Sequence, residues 1–248
     1  MKRKFSQVAA AVVVGLFAFN AMTVCVASGQ TPHVGTQPVF LTNEAAERLP
    51  NIDQVKSKLR SYYACTCTCG CYARDFESQA AKAFAFLDKR AAHRAPGEKL
   101  ALVLDIDETS LSNWEEMSKA DFTFDNKAFA VWEEEARAPA LVGTLQLVQE
   151  ARRLGVAVFF ITGRPESERA ATERNLRSAG YEGWQGLALR GVHPESQTTI
   201  AYKSGERAKI VAQGYKIVLN AGDQWSDLKG DPEAELSIKY PNPFYFLP

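Results

Sequence analysis

The residues able to do chemistry fall into three short strings, each directly behind an apolar run. Asp105, Asp107, Glu108 and Thr109 follow the run at 100–104. Thr162, Gly163 and Arg164 follow 156–161, and Asn220, Gly222, Asp223 and Asp227 follow 216–219. Residues two apart in extended chain point to the same side, so Asp105 and Asp107 present two carboxylates together. Several acids in one crevice raise one another's pKa unless a cation neutralises them. Oxygen-only donors favour a hard, octahedral ion such as Mg²⁺, usually shared with a substrate phosphate. Lys203, just ahead of a helix predicted from Ser204, is the candidate to balance the remaining charge.

Positioning these strings requires alternating elements. The runs at 100–104, 156–161, 187–189 and 216–219 read as buried strands, with a fifth strand at 237–240. Between them, 139–154 carries Leu141, Leu145 and Val148 on one face and reads as a helix stopped by Gly155. Pro165 sits in the first turn of a second helix that runs to Ala179, and 204–213 forms a third. This order implies an α/β fold, a Rossmann-like parallel sheet of about five strands sandwiched by helices. Ligands of such sheets collect at the carboxyl ends of the strands, where the three strings lie.

The chain has 248 residues, 29 Lys+Arg against 29 Asp+Glu, and 46% hydrophobic residues, which excludes wholesale disorder. Its basic residues are dispersed, so no nucleic acid polymer is expected as a partner. Lys2, Arg3 and Lys4 precede an uncharged run at 8–19, with Ala27 and Ser28 soon after, and residues 1–27 read as a secretory signal peptide. Asn20 interrupts that run short of the roughly 20 apolar residues of a membrane span. Its removal leaves 26 basic and 29 acidic residues, and the mature form is expected to be periplasmic or secreted, without a stable membrane span. Lipid anchoring at Cys25 is a minor alternative, because the preceding residue is not small.

Residues 28–50 read as an extended arm and 51–97 as a helical extension. The extension starts at Asn51, runs past the cysteines through Phe76, Ala80, Ala83, Phe84, Leu87 and Ala91, and is closed by Pro96-Gly97. His93 near its end suits the helix dipole. Cys65, Cys67, Cys69 and Cys71 alternate within it. On one continuous helix, Cys65 with Cys69 and Cys67 with Cys71 could be bridged under strain, with free thiols or a metal as the other readings.

With these residues in place the chain resembles the haloacid dehalogenase superfamily. Asp105-Ile106-Asp107-Glu108-Thr109 resembles its first motif, Ile161-Thr162-Gly163-Arg164 its second, Lys203 its third and Gly222-Asp223-Gln224-Trp225-Ser226-Asp227 its fourth. The longer strings from Val103 to Asn113 and from Tyr202 to Arg207 are similar to the secreted class C and plant-type acid phosphatases, which include vegetative storage proteins.

The resemblance implies a Mg²⁺-dependent phosphomonoesterase. In it Asp105 is the nucleophile, Asp107 the proton shuttle, and Thr162, Gly163 and Lys203 hold the phosphate. Asp105, Asp223 and the backbone carbonyl of Asp107 bind the metal, with Asp227 in support. It places a single catalytic core at 98–248. About 53 residues separate Thr109 from Gly163, room for a small helical cap at about 110–138 but no large lid.

Small phosphomonoesters, nucleoside monophosphates among them, are the expected substrates, with Trp114, Trp132 and Trp225 as candidates to stack a base. Arg164 reads as a substrate contact or a partner of Glu166 or Glu168, and His193 as a solvent-exposed loop residue. A storage or binding protein on the same fold is the alternative. A receiver-like switch or a dehalogenase is disfavoured by Asp107, which phosphate hydrolysis uses and those chemistries do not.

Overall fold

The computed structural model describes residues 49–65, 71–192 and 196–247. The signal segment with Cys25, the arm up to residue 48, Cys67, Cys69 and His193 lie outside the described residues.

Strand β1 (Lys99–Leu104) is buried from Leu100 onward because its two sides are both apolar. Leu100, Leu102 and Leu104 face one layer, and Ala101 and Val103 face the other. It is the centre of a five-stranded sheet ordered β3-β2-β1-β4-β5, completed by β2 (Ala157–Pro165), β3 (Gly186–Arg190), β4 (Tyr215–Gly222) and β5 (Leu236–Lys239). All four pairings are parallel. The chain moves outward from β1 to β2 and β3, then returns to lay β4 on the opposite side of β1. The order therefore reverses between β1 and β4, and a crevice opens beyond their carboxyl ends.

One face of the sheet is covered by helices α2 (Tyr72–Ala92), α5 (Val142–Arg153) and α6 (Arg169–Ser178). Phe76, Ala80, Ala83 and Leu87 of α2 recur at helical spacing and are buried there, with Leu147, Val148 and Leu176 from the other two. A Cβ at Gly143 would lie 2.8 Å from that of Ala80, so the glycine permits the close approach of α5 to α2. Helix α7 (Thr199–Ala212) covers the other face through Tyr202 and Ile210. Among the described residues no helix is long and apolar enough to cross a membrane.

Three differences from the sequence reading bear on the site and its supports. The N-terminal helical pattern is broken into α1 (Ile52–Ala64) and α2, because Cys65 and Cys71 are joined by a disulfide. That bond excludes the pairs Cys65–Cys69 and Cys67–Cys71. Pro165 is not in a helix: β2 stays extended to pair it with Arg190, a 3₁₀ turn (Glu166–Glu168) follows, and α6 starts at Arg169. Helix α7 starts earlier than Ser204, since the Thr198 side chain accepts a hydrogen bond from the Ala201 N–H and caps it there. Lys203 thus lies within the helix rather than ahead of it.

Candidate active site

Asp105 is the first residue beyond β1, and its N–H donates to Ala221 O of β4 at 3.1 Å, so the two acidic loops leave the sheet side by side. The first loop folds back at once, because the N–H groups of Ser110 and Leu111 both reach Ile106 O at 2.8 Å. This turn puts Glu108 at φ +52°, a left-handed conformation that a side chain resists at a cost of roughly 1–3 kcal/mol. The buried Glu108 carboxylate compensates by accepting from Asn113 N at 2.7 Å, Asn113 Nδ2 at 3.1 Å and the Tyr245 hydroxyl at 2.7 Å. Burial and the charge of Asp107 push Glu108 up to about 7.

Three of the predicted acids come together with the predicted lysine. One carboxylate oxygen from each of Asp105, Asp223 and Asp227 lies within 4.8 Å of the others, and all three residues are buried. From α7, Lys203 Nζ donates to Asp105 Oδ1 at 2.5 Å and to Asp227 Oδ1. Burial opposes its charge, but these two carboxylates hold its pKa above the ordinary lysine range. Asp105 is pushed well above the carboxylate range by burial and by the charges of Asp227 and Asp223, with Lys203 opposing. Burial and Asp227 likewise push Asp223 up to about 7.

Three carboxylates facing one ammonium leave an excess of negative charge in a dry site. The donors are all oxygens, so the group fits a hard divalent cation.

The second acidic loop is built around an absent side chain. A Cβ on Gly222 would lie 2.3 Å from Asp227 Cβ, so only glycine lets the short helix α8 (Trp225–Leu228) fold back over the end of β4. Asp227 Oδ2 accepts from Gln224 N at 2.7 Å, closing that turn. The buried Arg207 guanidinium ties it down by donating to Asp227 O at 2.7 Å, Lys229 O at 2.6 Å and Pro232 O at 2.9 Å.

Asp107 stands apart from the three-acid group. Its carboxylate accepts from Arg164 Nη2 at 2.6 Å, from Arg164 Nε at 3.1 Å and from Asn113 Nδ2 at 2.9 Å. Burial works against its charge, yet Arg164 and Asn113 hold its pKa below the usual carboxylate range.

Arg164 also pairs with Glu133 at 3.1 Å, on α4 (Asn126–Glu135). Glu133 is pushed up to about 9 by burial and by Asp107. Of the partners expected for Arg164, Glu166 pairs instead with Arg169 at 2.5 Å, while the charge of Glu168 still acts on Arg164 beside Asp107 and Glu133. Thr162 is fully buried within β2, three residues before its last, and its Oγ1 accepts from Arg164 N at 3.1 Å rather than capping a helix. Gly163 is exposed beside it but opens no helix, because the chain stays extended to Pro165.

The segment at 110–138 contains α4 and the short helix α3 (Trp114–Lys119). Trp114 is half-buried and stacked on Tyr63 of α1 at 3.8 Å, while Trp132 is buried with its Nε1 donating to Asn113 Oδ1 at 2.8 Å. Trp225 alone of these three is exposed, at 53%. Sequence reading named Glu108 without giving it a role, and missed Asn113, Glu133, Asn242 and Tyr245. Glu108 and Asn113 sat inside the quoted motif, and the other three carried no local signal.

A parallel sheet whose strand order reverses at its centre, with a buried acidic group and a lysine at that point, places the chain in the doubly wound α/β class. The chain belongs to the HAD superfamily, subfamily IIIB (acid phosphatase), whose family model matches residues 30–248. It is 43% identical to acid phosphatase 1 of Solanum lycopersicum over 148 residues, 58% of each chain. It is 35% identical to a stem 31 kDa glycoprotein of Glycine max over 67% of this chain and 65% of that one. Against vegetative storage protein 1 of Arabidopsis thaliana the identity is 33%, over 59% and 55%. The matched region thus spans somewhat under two thirds of these relatives. In fold the chain is similar to the class C acid phosphatase of Bacillus anthracis with tungstate bound, at a TM-score of 0.63 and 24% identity over 79% of this chain and 86% of that one.

Proposed function

We propose that this protein is an exported, Mg²⁺-dependent acid phosphatase that hydrolyses small phosphomonoesters, nucleoside monophosphates among them, through an aspartyl-phosphate on Asp105. The observation that carries this reading is the contact of Asp105 with Lys203 inside the three-acid group, with a separately held acid, Asp107, two residues further on. Family membership supports the same reaction class.

In this reading Asp105 attacks phosphorus in line, the P–O bond to the leaving alcohol breaks, and Asp107 delivers a proton to that oxygen. Asp107 then takes a proton from the water that cleaves the acyl phosphate. Lys203 neutralises charge on nucleophile and phosphate, and the Thr162 hydroxyl and Gly163 N–H hold phosphoryl oxygens. Asp105, Asp223 and the Asp107 carbonyl would hold Mg²⁺, with Asp227 fixing Lys203 and the loop. The bound ion would polarise the phosphoryl group and offset the charge of the acids.

Arg164 depresses Asp107, so its proton-donating form is populated at low pH, which suits a reaction favoured in acid. A dianionic phosphate arriving beside Asp107 raises its pKa again. The basic start and apolar run of residues 1–27 support export.

Phosphate release from p-nitrophenyl phosphate and a nucleotide panel, with and without Mg²⁺ and from acidic to neutral pH, tests the proposal on the mature protein. Turnover that needs Mg²⁺ and falls to background in Asp105→Asn is expected. Equal turnover in that variant would remove Asp105 as the nucleophile, and none in the wild type would favour a storage or binding role.

A further inference from the structure

The chain beyond β5 returns to the acidic loops. Tyr240 N donates to Gly222 O at 2.9 Å, which carries the backbone past the end of β4. Asn242 then does two things. Its Oδ1 accepts from Phe244 N at 2.9 Å and Tyr245 N at 3.4 Å, making a tight turn, while its Nδ2 donates to Asp223 Oδ2 at 2.7 Å.

The turn aims three further groups. Phe244 is buried against Trp114, Tyr72 and Tyr63, with ring centroids 5.2, 5.5 and 5.9 Å away. The Tyr245 hydroxyl reaches Glu108, and Leu247 N donates to Gln224 Oε1 at 3.1 Å. Gln224 Nε2 is the second donor to Asp223 Oδ2, at 2.6 Å. The segment at 242–247 therefore bonds to both acidic loops and is anchored by an aromatic contact to α1 and α2.

The consequence for Asp223 is orientational. Two neutral amides occupy Oδ2, and among the described residues Oδ1 accepts only the Thr109 hydroxyl, at 3.2 Å. Amide donors fix the plane of a carboxylate without adding positive charge that would compete with a cation. Gln224 lies next to Asp223 in the chain, whereas Asn242 is the donor supplied from outside the loop.

We propose that Asn242 is a positioning residue that sets the affinity of the site for a divalent cation by holding Asp223, making the segment at 242–247 part of the active site. This rests on the reading of Asp223 as a metal ligand. Partners that orient a ligand in this way are typically worth about 10- to 100-fold in metal affinity.

The test is calorimetric titration of the full chain with Mg²⁺ and with Mn²⁺, with thermal unfolding followed in EDTA. Asn242→Ala removes donor and turn together. Asn242→Ser keeps an acceptor for the turn but cannot reach Asp223. Both variants should bind the metal roughly 10- to 100-fold more weakly, Asn242→Ser should melt like wild type in EDTA, and saturating metal should restore most of kcat.

Wild-type metal affinity in both variants would overturn the inference and leave the proposed function standing. Weak binding in Asn242→Ala with wild-type binding in Asn242→Ser would overturn the role of the donor in favour of the turn. Absence of metal binding in the wild type would sink the metal-dependent reading and this inference together.

Discussion

Asp107 meets its donors in a fixed fork, two nitrogens of Arg164 on one side and the Asn113 amide on the other. A guanidinium placed this way fixes both the orientation of the acid and its charge state. Removing it leaves burial opposed only by the Asn113 amide and the more distant charge of Lys203, so Asp107 rises. As a general acid Asp107 works only while protonated, and the rate falls as pH climbs through its pKa. Arg164→Ala should therefore move the falling limb of the kcat/KM profile to higher pH while lowering kcat by about 100-fold. Arg164→Lys, which keeps the charge without the fork, should fall between. A profile unmoved in Arg164→Ala would show that another group governs the limb.

Helices α1 and α2 form a hairpin pinned by the Cys65–Cys71 disulfide, and α1 buries none of its residues fully. It is held by partners on the segment at 110–138: Lys56 and Arg60 pair with Asp121 at 2.5 and 2.8 Å, and Tyr63 stacks on Trp114. A helix with so little buried surface depends on its attachment. The two cysteines are six residues apart, and closing a loop that short in the unfolded chain is worth about 2 kcal/mol. Replacing both with serine should lower the urea unfolding free energy by about that amount. An unchanged midpoint and slope would mean that the cross-link contributes nothing to stability.

The sequence was informative where an element announces itself locally. The strands were legible as apolar runs, and Asp105, Thr162 and Asp223 because each lies close behind such a run. The break between α1 and α2 was not, since alternating cysteines leave a helical pattern uninterrupted until their pairing is known. Helix α7 was started at Ser204, whereas Thr198 caps it and it begins at Thr199. Arg164 was given neighbours two and four residues away, but its hydrogen-bonded partner Asp107 lies 57 residues back, and Asn242 and Tyr245 look like turn and packing residues until the fold brings them to the acids.

The site as a whole is made of distant pairs. Lys203 and Asp105 are 98 residues apart, Thr109 and Asp223 are 114 apart, and Glu108 and Tyr245 are 137 apart. Helices α2 and α5, by contrast, need only local bonds and one neighbour to begin forming. Closing long loops has an entropic cost that must be met before any distant contact rewards it, so such contacts arrive late. On dilution out of denaturant with the disulfide intact, helical ellipticity should return first and phosphate-releasing activity in a later phase. A single shared exponential would show instead that everything closes at once. A late phase would mean that a newly made chain passes through a shape with most of its helix in place and no working centre, inert toward the phosphate esters around it until the last loops lock.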